Sequence, residues 1–402
     1  MKIAYLSKEM PFGATEAFIL PEVSSHLAAG WDVWLVPLSR AEMVHGRHLL
    51  DRSLDAPLLS PGIVTAALAE AVRRPIRALG LLARVVRAPS AALAVRNLAV
   101  FPKGLWLSRQ LRRHKFDHVH IHWIAAPASM GVVAARMAGV PYSITAHRYD
   151  IAQANLLNWK AHGARFVRAI DTPGATEIAG HLSADTQPPV VLHMGVNVPP
   201  AAAPLRRGPL NTLRIAVAAR LVAKKGHCYL IEALKLAKDR GTSVRLDVFG
   251  DGPLKDGLTA QAAALGVADL VTWRGVTRHD DLLRILLVGD FDACVLPSVT
   301  ANDGDKEGIP VFLIESMGAG LPVITTANGG IEELAGDGHG INVPERDATA
   351  IGDALVRLAQ DGDLRAELAT RGRRRVMQEF EINTCMQRLR GLIATSDSAA
   401  QA

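Results

Sequence analysis

The stretch from Glu307 to Glu333 reads EGIPVFLIESMGAGLPVITTANGGIEE and carries most of the chemical information in this chain. Pro310 suits the first position of a helix, because its missing N–H would be unpaired there in any case. The run Gly-Ala-Gly-Leu-Pro at 318–322 predicts the end of that helix, and 323–326 predicts a short buried strand. The Asn-Gly-Gly turn at 328–330 then opens a further helix. We therefore predict one α/β repeat, whose loops lie at the sheet edge where open α/β sheets bind ligands.

Two carboxylates in this repeat are placed to accept hydroxyl groups. Glu307 precedes the predicted helix and Glu315 lies within it, with seven residues between them. A carboxylate near a helix start is favoured by the helix dipole and can accept two hydroxyl hydrogen bonds, as from the vicinal diol of a ribose or hexose. Gly329 and Gly330 expose backbone N–H groups that suit a phosphate. These features together indicate a sugar nucleotide, although two glutamates that flank a helix are also common where no ligand binds.

The combined pattern E-x7-E, G-x-G-x-P-V-[IV] and N-G-G-x-x-E closely resembles the nucleotide-sugar site of family 4 glycosyltransferases of the GT-B fold. The first half of the chain resembles exopolysaccharide glycosyltransferases of the colanic-acid type more loosely. The resemblance implies an α/β protein with two Rossmann-like domains that face each other across a cleft. It implies an acceptor-binding domain at 1–198, a linker at 199–211, a nucleotide-sugar-binding domain at 212–380, and a crossover helix with a disordered tail at 381–402. That last helix would cross back to the first domain.

Two cations follow the first predicted strand of the second domain. Arg220 and Lys225 match the family motif R-[LF]-x-x-x-K-G, and cations at a strand–helix turn can neutralise a diphosphate as it leaves. A surface salt-bridging pair is the alternative. The resemblance implies that Glu315 accepts the ribose hydroxyls and that Glu307 accepts those of the sugar. The donor site that it implies consists of Gly13, Arg220, Lys225, Gly250, Gly275, Glu307, Gly308, Ile309, Glu315, Gly329 and Gly330.

One histidine is a further candidate. The predicted strand 142–146 places His147 at its carboxyl end, on the ligand edge. Family 4 enzymes carry a histidine here in a T-x-H-x-x-D setting, which Thr145, His147 and Asp150 match. The resemblance therefore implies that His147 faces the reaction centre. The candidate catalytic residues are His147, Glu307, Arg220 and Lys225.

Three other histidines, at 118, 120 and 122, share one face of a predicted strand. Successive residues on one strand face are about 7 Å apart, so a single ion could not bind all three. We predict that they are core or edge residues. Neither the residues nor the resemblance requires a metal or any other cofactor, and the nucleotide sugar is a substrate.

A basic segment lies in the first half of the chain. Between Glu70 and Asp117 there are eleven lysines and arginines and no acid. On a helical wheel four arginines share one side and apolar residues occupy another, which is typical of peripheral contact with an anionic membrane. The alternative is a solvated basic face on a surface helix, and nucleic acid is disfavoured because no aromatic residues accompany the charge. The predicted membrane contact consists of Arg73, Arg77, Arg84 and Arg87, and the apolar side consists of Ile76, Leu79, Leu82 and Val86.

Composition sets the remaining bounds. The net charge of +6 permits an anionic partner without choosing one. Cys228, Cys294 and Cys385 are widely spaced and odd in number, so a reducing cytoplasm fits best. The start MKIAYLSKEM is not a signal peptide, and no run reaches the roughly 18 apolar residues of a membrane span. We therefore predict a cytoplasmic protein, with peripheral attachment to the inner face of the membrane as a separate question.

The resemblance implies a glycosyltransferase of the hexosyltransferase class. It would move a sugar from a UDP- or GDP-sugar to a saccharide or lipid-linked saccharide, with retention of configuration and without a metal, in cell-surface polysaccharide synthesis. A GT-B sugar-nucleotide epimerase would bind the same donor and use no acceptor. A non-catalytic sugar- or lipid-binding protein would be expected to have lost Arg220, Lys225 or Glu307, and all three are present.

Overall fold

The computed structural model describes residues 1–12, 16–41, 47–58, 60–302 and 304–394. The chain divides into two compact units. The first comprises residues 1–195 together with the chain from Ile382 onward, and the second comprises Val196–Glu381. Each unit contains one six-stranded parallel sheet, as a Rossmann-like domain requires.

The first unit begins with strands and helices that alternate along the chain. Its strands are β1 (Lys2–Ser7), β2 (Asp32–Pro37), β3 (His118–His122), β4 (Tyr142–Ala146), β5 (Val167–Ala169) and β6 (Val190–Val191). Its helices up to Gly195 are α1 (Leu20–Ala28), α2 (Pro61–Arg73), α3 (Pro75–Val85), α4 (Ala91–Arg113), α5 (Ala126–Ala138), α6 (Arg148–Ile151), α7 (Leu157–Ala161) and α8 (Thr172–Gly180). The strand order is β2-β1-β3-β4-β5-β6, and all neighbours are parallel. The order therefore reverses between β1 and β3.

The second unit repeats this architecture. Its strands are β7 (Thr212–Ala218), β8 (Ser243–Phe249), β9 (Val271–Gly275), β10 (Ala293–Leu296), β11 (Val323–Thr326) and β12 (Ile341–Val343). Its helices are α9 (His227–Asp239), α10 (Lys255–Ala264), α11 (His279–Leu287), α12 (Val311–Gly318), α13 (Ile331–Ala335), α14 (Ala348–Gln360) and α15 (Gly362–Glu379). The strand order is β12-β11-β10-β7-β8-β9, again all parallel. Here the order reverses between β7 and β10.

The last helix, α16 (Ile382–Ala394), belongs to the first unit, so the predicted return of the chain is confirmed. Its apolar face packs with Phe166 and Leu192 of that unit. The Arg390 guanidinium donates a hydrogen bond to the Ser25 carbonyl at 3.2 Å. The predicted tail at 395–402 lies outside the described residues.

Residues 199–211, predicted as a linker, pack on the second unit. The Ala203 N–H donates to the Ala319 carbonyl at 2.7 Å, and the Leu210 N–H donates to the Ala359 carbonyl at 2.8 Å. The Arg206 side chain adds an ion pair with Asp292, and Leu205 and Leu210 pack against the core of the unit. The segment is thus attached along its length to one unit.

The part of the basic segment around Pro75 forms two helices, where one helix was predicted. Helix α2 ends at Arg73 and α3 begins at Pro75, and Arg74 between them has φ −138° and ψ 61°. A residue before proline is disfavoured in the helical region, which explains the break. The prediction that Arg73, Arg77, Arg84 and Arg87 share one helix is therefore wrong, since α3 contains only Arg77 and Arg84. No helix in the described part of the chain is both long and apolar enough to cross a membrane.

Replacement of Arg365 by methionine should destabilise the second unit by about 3 kcal/mol. Its fully buried guanidinium donates to the carbonyls of Arg206, Gly208, Leu358 and Ala359, and the substitution removes all of these hydrogen bonds. The free energy of unfolding from urea denaturation, followed by circular dichroism, measures the effect. The matched control is Arg357→Met on the exposed face of α14, which we expect to change stability by less than about 0.5 kcal/mol. Equal stability of the two variants would contradict a structural role for Arg365.

Candidate active site

The reversal between β7 and β10 places two loops side by side, 219–226 after β7 and 297–310 after β10. The carboxyl ends of strands at such a reversal form the crevice in which open α/β sheets bind ligands. Gly226 allows the loops to meet: its φ is 67°, and a Cβ there would lie 1.9 Å from the Pro297 carbonyl oxygen. Only glycine tolerates both the backbone conformation and the contact.

Three cations of the first loop have different surroundings. Lys225 Nζ lies 2.8 Å from Glu307 Oε1, and Lys224 Nζ lies 2.7 Å from Asp305 Oδ2. Arg220 is exposed, and its side chain forms no hydrogen bond or ion pair with any residue that the structure describes. The structure thus brings three predicted residues, Arg220, Lys225 and Glu307, to one pair of loops. Of the three cations of the first loop, Arg220 is the one without a hydrogen-bond or ion-pair partner among the described residues.

The N-G-G turn positions the backbone of Glu307. Asn328 Oδ1 accepts the Glu307 N–H at 2.8 Å, and the Gly330 N–H donates to the Glu307 carbonyl at 3.3 Å. Gly329 has φ 60°, and a Cβ there would lie 1.8 Å from that carbonyl oxygen. The Gly330 N–H, which was predicted to face a phosphate, therefore donates to a carbonyl of the protein itself.

Glu345 supports this turn, and sequence reasoning missed it. It accepts hydrogen bonds from the Thr300 N–H at 2.7 Å, the Thr300 hydroxyl at 3.0 Å and Asn328 Nδ2 at 2.6 Å. Burial alone would raise the pKa of Glu345, but these hydrogen bonds lower it overall. Glu345 follows β12 and belongs to no motif, so only the tertiary contacts identify it.

Glu315 lies in α12 and is 6% exposed. Its Oε1 is 2.5 Å from Nε2 of His279, the first residue of α11. This hydrogen bond raises the pKa of the half-exposed His279 imidazole above its ordinary value. A ribose hydroxyl that approaches this carboxylate oxygen would compete with His279, a residue that no sequence motif indicated.

The remaining donor residues lie around these loops. The Gly250 N–H, at the end of β8, donates to the Gly275 carbonyl at the end of β9, 2.8 Å away. Gly308 and Ile309 are half-buried and connect Glu307 to α12. Gly13, predicted on the first loop of the chain, lies outside the described residues.

His147 follows β4 in the first unit, as predicted, and is 7% exposed. Its backbone N–H donates to Asp150 Oδ1 at 2.7 Å, which gives the T-x-H-x-x-D pattern a local structural role. Its ring packs against Trp123, with ring centroids 4.4 Å apart. Burial holds the pKa of His147 well below its ordinary value, so the imidazole is neutral at physiological pH.

Behind His147 runs a chain of buried polar groups. His147 Nε2 is 3.2 Å from His122 Nδ1, and His122 Nε2 is 2.9 Å from the Tyr5 hydroxyl. The Tyr5 hydroxyl donates to Glu22 Oε2 at 2.6 Å, and Arg168 Nη1 donates to Glu22 Oε1 at 2.8 Å. Burial alone would raise the pKa of Glu22, but Arg168, followed by His122 and Tyr5, holds it well below its ordinary value.

The prediction that the strand histidines are core residues is confirmed. His118, His120 and His122 are fully buried in β3. His118 Nε2 and His120 Nδ1 are each 2.8 Å from the Ser143 hydroxyl of neighbouring β4. The alternating pattern thus reflects buried hydrogen bonds between strands.

The described residues therefore supply two sets of groups. In the second unit, carboxylates that suit diols lie beside cations that suit a diphosphate. In the first unit, a neutral imidazole lies at the carboxyl end of β4. Such groups can bind a sugar nucleotide and stabilise charge on a departing phosphate.

Known proteins are similar to this chain in sequence and in fold. Residues 208–375 match the family described as Glycosyl transferases group 1. WcaL of Salmonella typhimurium, named as a glycosyltransferase of colanic acid biosynthesis, is 28% identical over 98% of this chain and 100% of its own length. The amylovoran biosynthesis glycosyltransferase AmsK of Erwinia amylovora is 34% identical over 50% of this chain and 49% of its own length.

Among solved structures, Anabaena HepE in complex with UDP and glucose has a TM-score of 0.68 at 17% identity, over 98% of this chain and 100% of that one. At this identity the likeness shows the fold. Residues 208–375 therefore resemble a glycosyl transferases group 1 domain, and the chain has the two Rossmann-like halves of the GT-B fold.

Proposed function

We propose that this protein transfers a hexosyl group from a UDP- or GDP-sugar to a saccharide or lipid-linked saccharide in cell-surface polysaccharide synthesis. The observation that carries the proposal is the meeting of Arg220, Lys225 and Glu307 on two adjoining loops at the reversal of the second sheet. Glu315, the fifth residue of α12, adds a second buried carboxylate. Diphosphate, ribose and sugar would each meet a group of suitable chemistry.

The comparisons support the class of donor and of product. HepE was crystallised with UDP and glucose, which favours UDP as the nucleotide. WcaL and AmsK are named for the synthesis of colanic acid and amylovoran, which favours a polysaccharide precursor as the acceptor.

Transfer would retain the anomeric configuration and need no metal. In this mechanism the acceptor hydroxyl attacks the anomeric carbon on the face that the diphosphate leaves. A departing phosphate oxygen takes the hydroxyl proton, and Arg220 and Lys225 stabilise the negative charge that develops on the diphosphate. Glu307 would hold a sugar hydroxyl, and His147 would contact the donor sugar.

Arg220→Ala and Lys225→Ala should each lower kcat/KM for transfer by roughly 10²- to 10³-fold, because each removes a cation that stabilises the leaving diphosphate. Release of nucleoside diphosphate from UDP- and GDP-sugars, with lipid-linked saccharide extracts as acceptors, measures this. EDTA should leave the rate unchanged, and a loss that Mg²⁺ restores would contradict the metal-independent mechanism.

The matched control for that assay is Lys224→Ala, which removes the neighbouring lysine that pairs with Asp305. We expect a far smaller loss than for Lys225→Ala. Equal losses in the two lysine variants, or normal turnover in Arg220→Ala, would show that these cations do not contact the diphosphate. Conversion of the nucleotide sugar to an epimer without acceptor, and without net release of nucleoside diphosphate, would favour the epimerase.

One nucleoside diphosphate among UDP, GDP, ADP and TDP should raise the thermal stability of the wild-type protein but not of Glu315→Ala. At 100 times the dissociation constant, binding adds about 2.7 kcal/mol to the stability of the folded state. Glu332→Ala is the control, since Glu332 is an exposed carboxylate near the same loops and should leave the shift intact. If no diphosphate stabilises the wild type, the non-catalytic binding protein becomes the better hypothesis.

The same measurement should depend on pH. Because the pKa of His279 is raised by Glu315, their pair is complete at low pH and is lost as pH rises through that raised pKa. A nucleotide that displaces His279 should therefore stabilise the protein more as the pH rises. His279→Gln should remove this dependence, and an unchanged dependence would mean that the nucleotide does not compete for Glu315.

The outer surface of α2 to α4 supports a peripheral membrane contact. Of fifteen large apolar side chains exposed among the described residues, eight lie between residues 64 and 98. The buried stripe of α3 is Ala78, Leu81 and Val85, which leaves Ile76 at 86% exposure and Leu79 at 65%. The eight residues are Val64, Leu68, Val72, Ile76, Leu79, Val86, Val95 and Leu98.

Two arginines of α3 lie next to these apolar residues. Arg77 and Arg84 are exposed, and neither side chain has a hydrogen-bond or ion-pair partner within the described ranges. Both line a cavity of about 510 Å³ together with Arg136 and Trp159. Apolar side chains that can enter a bilayer, beside cations that can bind lipid phosphates, are what an interfacial helix requires.

Arg77→Glu combined with Arg84→Glu should release the protein from vesicles of anionic phosphatidylglycerol, and Ile76→Glu combined with Leu79→Glu should do the same. Sedimentation with vesicles measures binding, and neutral phosphatidylcholine vesicles should bind the wild type weakly. Arg245→Glu combined with Arg357→Glu gives the same change in net charge on exposed sites of the second unit and should leave binding intact. Unchanged binding of the α3 variants, or equal loss in the control, would refute this surface.

A further inference from the structure

An unbroken chain of hydrogen bonds runs from Arg168 through Glu22, Tyr5 and His122 to His147. The first four side chains are completely buried. No sequence motif connects them, since they come from β5, α1, β1 and β3. The position of each proton along these hydrogen bonds decides which ring nitrogen of His147 carries hydrogen.

The proton positions can be derived from the end of the chain that is charged. Glu22 is paired with Arg168 at 2.8 Å, so it is a carboxylate and can only accept hydrogen bonds. The short contact of 2.6 Å between the Tyr5 and Glu22 oxygens therefore contains the Tyr5 proton. The contact of 2.9 Å between Tyr5 and His122 Nε2 then needs a proton from the imidazole. His122 thus carries hydrogen on Nε2, which also faces Glu22 Oε2 at 3.2 Å.

The second histidine follows from the first. Arg168 and Glu22 already form a buried ion pair, so a neutral His122 leaves this cluster without net charge. With hydrogen on Nε2, the neutral form of the His122 ring has a lone pair on Nδ1. His147 Nε2 lies 3.2 Å from that lone pair and must donate to it. His147 is itself held neutral by burial, so its Nδ1 carries a lone pair as well.

We propose that Glu22 is a positioning residue that fixes His147 in the tautomer with hydrogen on Nε2, so that its Nδ1 acts only as a hydrogen-bond acceptor. This rests on the proposed function for the role of His147 at the substrate. It assigns His147 partners of defined chemistry: Nδ1 can accept a hydrogen bond, from the Asp150 N–H of the capping box or from a sugar hydroxyl, and cannot donate to a phosphate oxygen. The Glu22 carboxylate determines which partner donates in each of these hydrogen bonds, because it can only accept.

The tautomer can be observed without any substrate. In protein labelled with ¹⁵N-histidine, long-range ¹H–¹⁵N spectra distinguish a protonated Nε2 from a protonated Nδ1, and His147→Gln identifies the signals. We expect wild-type His147 to carry its proton on Nε2. A proton on Nδ1 would overturn the proposal, whether or not any variant folds or transfers sugar.

Two variants test the cause. Glu22→Gln replaces the pure acceptor by a group that also donates, so His147 should change from one tautomer to a mixture. Tyr5→Phe should keep the wild-type tautomer, because His122 Nε2 then donates to Glu22 Oε2 alone. A single unchanged tautomer in Glu22→Gln would overturn the role of Glu22.

Kinetics then separate positioning from a purely structural role. Glu22→Gln should lower kcat by roughly tenfold to hundredfold with little change in the donor KM, the range for loss of an outer partner that orients a histidine. Glu70→Gln is the matched control: Glu70 is a buried carboxylate of the same unit, paired with Arg112, and it does not touch the histidine chain. Equal loss of kcat in both variants would show that the effect is structural. Normal tautomers with no transfer activity in any form would count against the proposed function and not against this inference.

Discussion

The donor half of this protein depends on two places where main chain meets main chain too closely for a side chain. A Cβ on Gly226 would lie 1.9 Å from the Pro297 carbonyl oxygen, and a Cβ on Gly329 would lie 1.8 Å from the Glu307 carbonyl oxygen. These two contacts lock the loop after β7 and the loop after β11 onto the loop after β10. The pairing of Lys225 with Glu307 and the isolation of Arg220 both follow from that arrangement. The reversal of strand order brings the loops to one edge, and the glycines set their spacing.

The first unit depends on a different constraint, the burial of charge. Glu22 and Arg168 are both fully buried, which is tolerable only because they pair and because the remaining donors of Arg168 reach the Leu192 and His193 carbonyls. Once that pair is in place, every proton between Glu22 and His147 has a single arrangement. A structural requirement in the core therefore sets the chemistry of a residue at the sheet edge.

In the basic segment, the sequence predicts helices with exposed arginines, but the structure has two helices where a single one was expected. The alternation of arginines and apolar residues was read on one helical wheel, but Pro75 ends that continuity by excluding Arg74 from the helical region. The apolar residues predicted opposite the arginines include Ile76 and Leu79, which lie on the exposed surface of α3, while Ala78, Leu81 and Val85 form its core face. A helical wheel shows which residues share a side of one helix, but it does not say which side the neighbouring helices cover.

The sequence by itself determined the elements of the fold and the donor loops. Apolar runs bounded by glycine and proline predict buried strands, and β4 and β11 begin and end at the predicted residues, Tyr142–Ala146 and Val323–Thr326. The motifs around Arg220, Glu307 and Gly329 were readable because their spacing along the chain is short and their geometry is local. Glu345, His279 and the pair of Glu22 with Arg168 were not, because each acts on a residue distant in sequence through contacts that exist only after the strands have taken their order in the sheet. Local backbone conformation depends on neighbouring residues in the sequence, whereas the partner of a buried charge depends on how the elements pack.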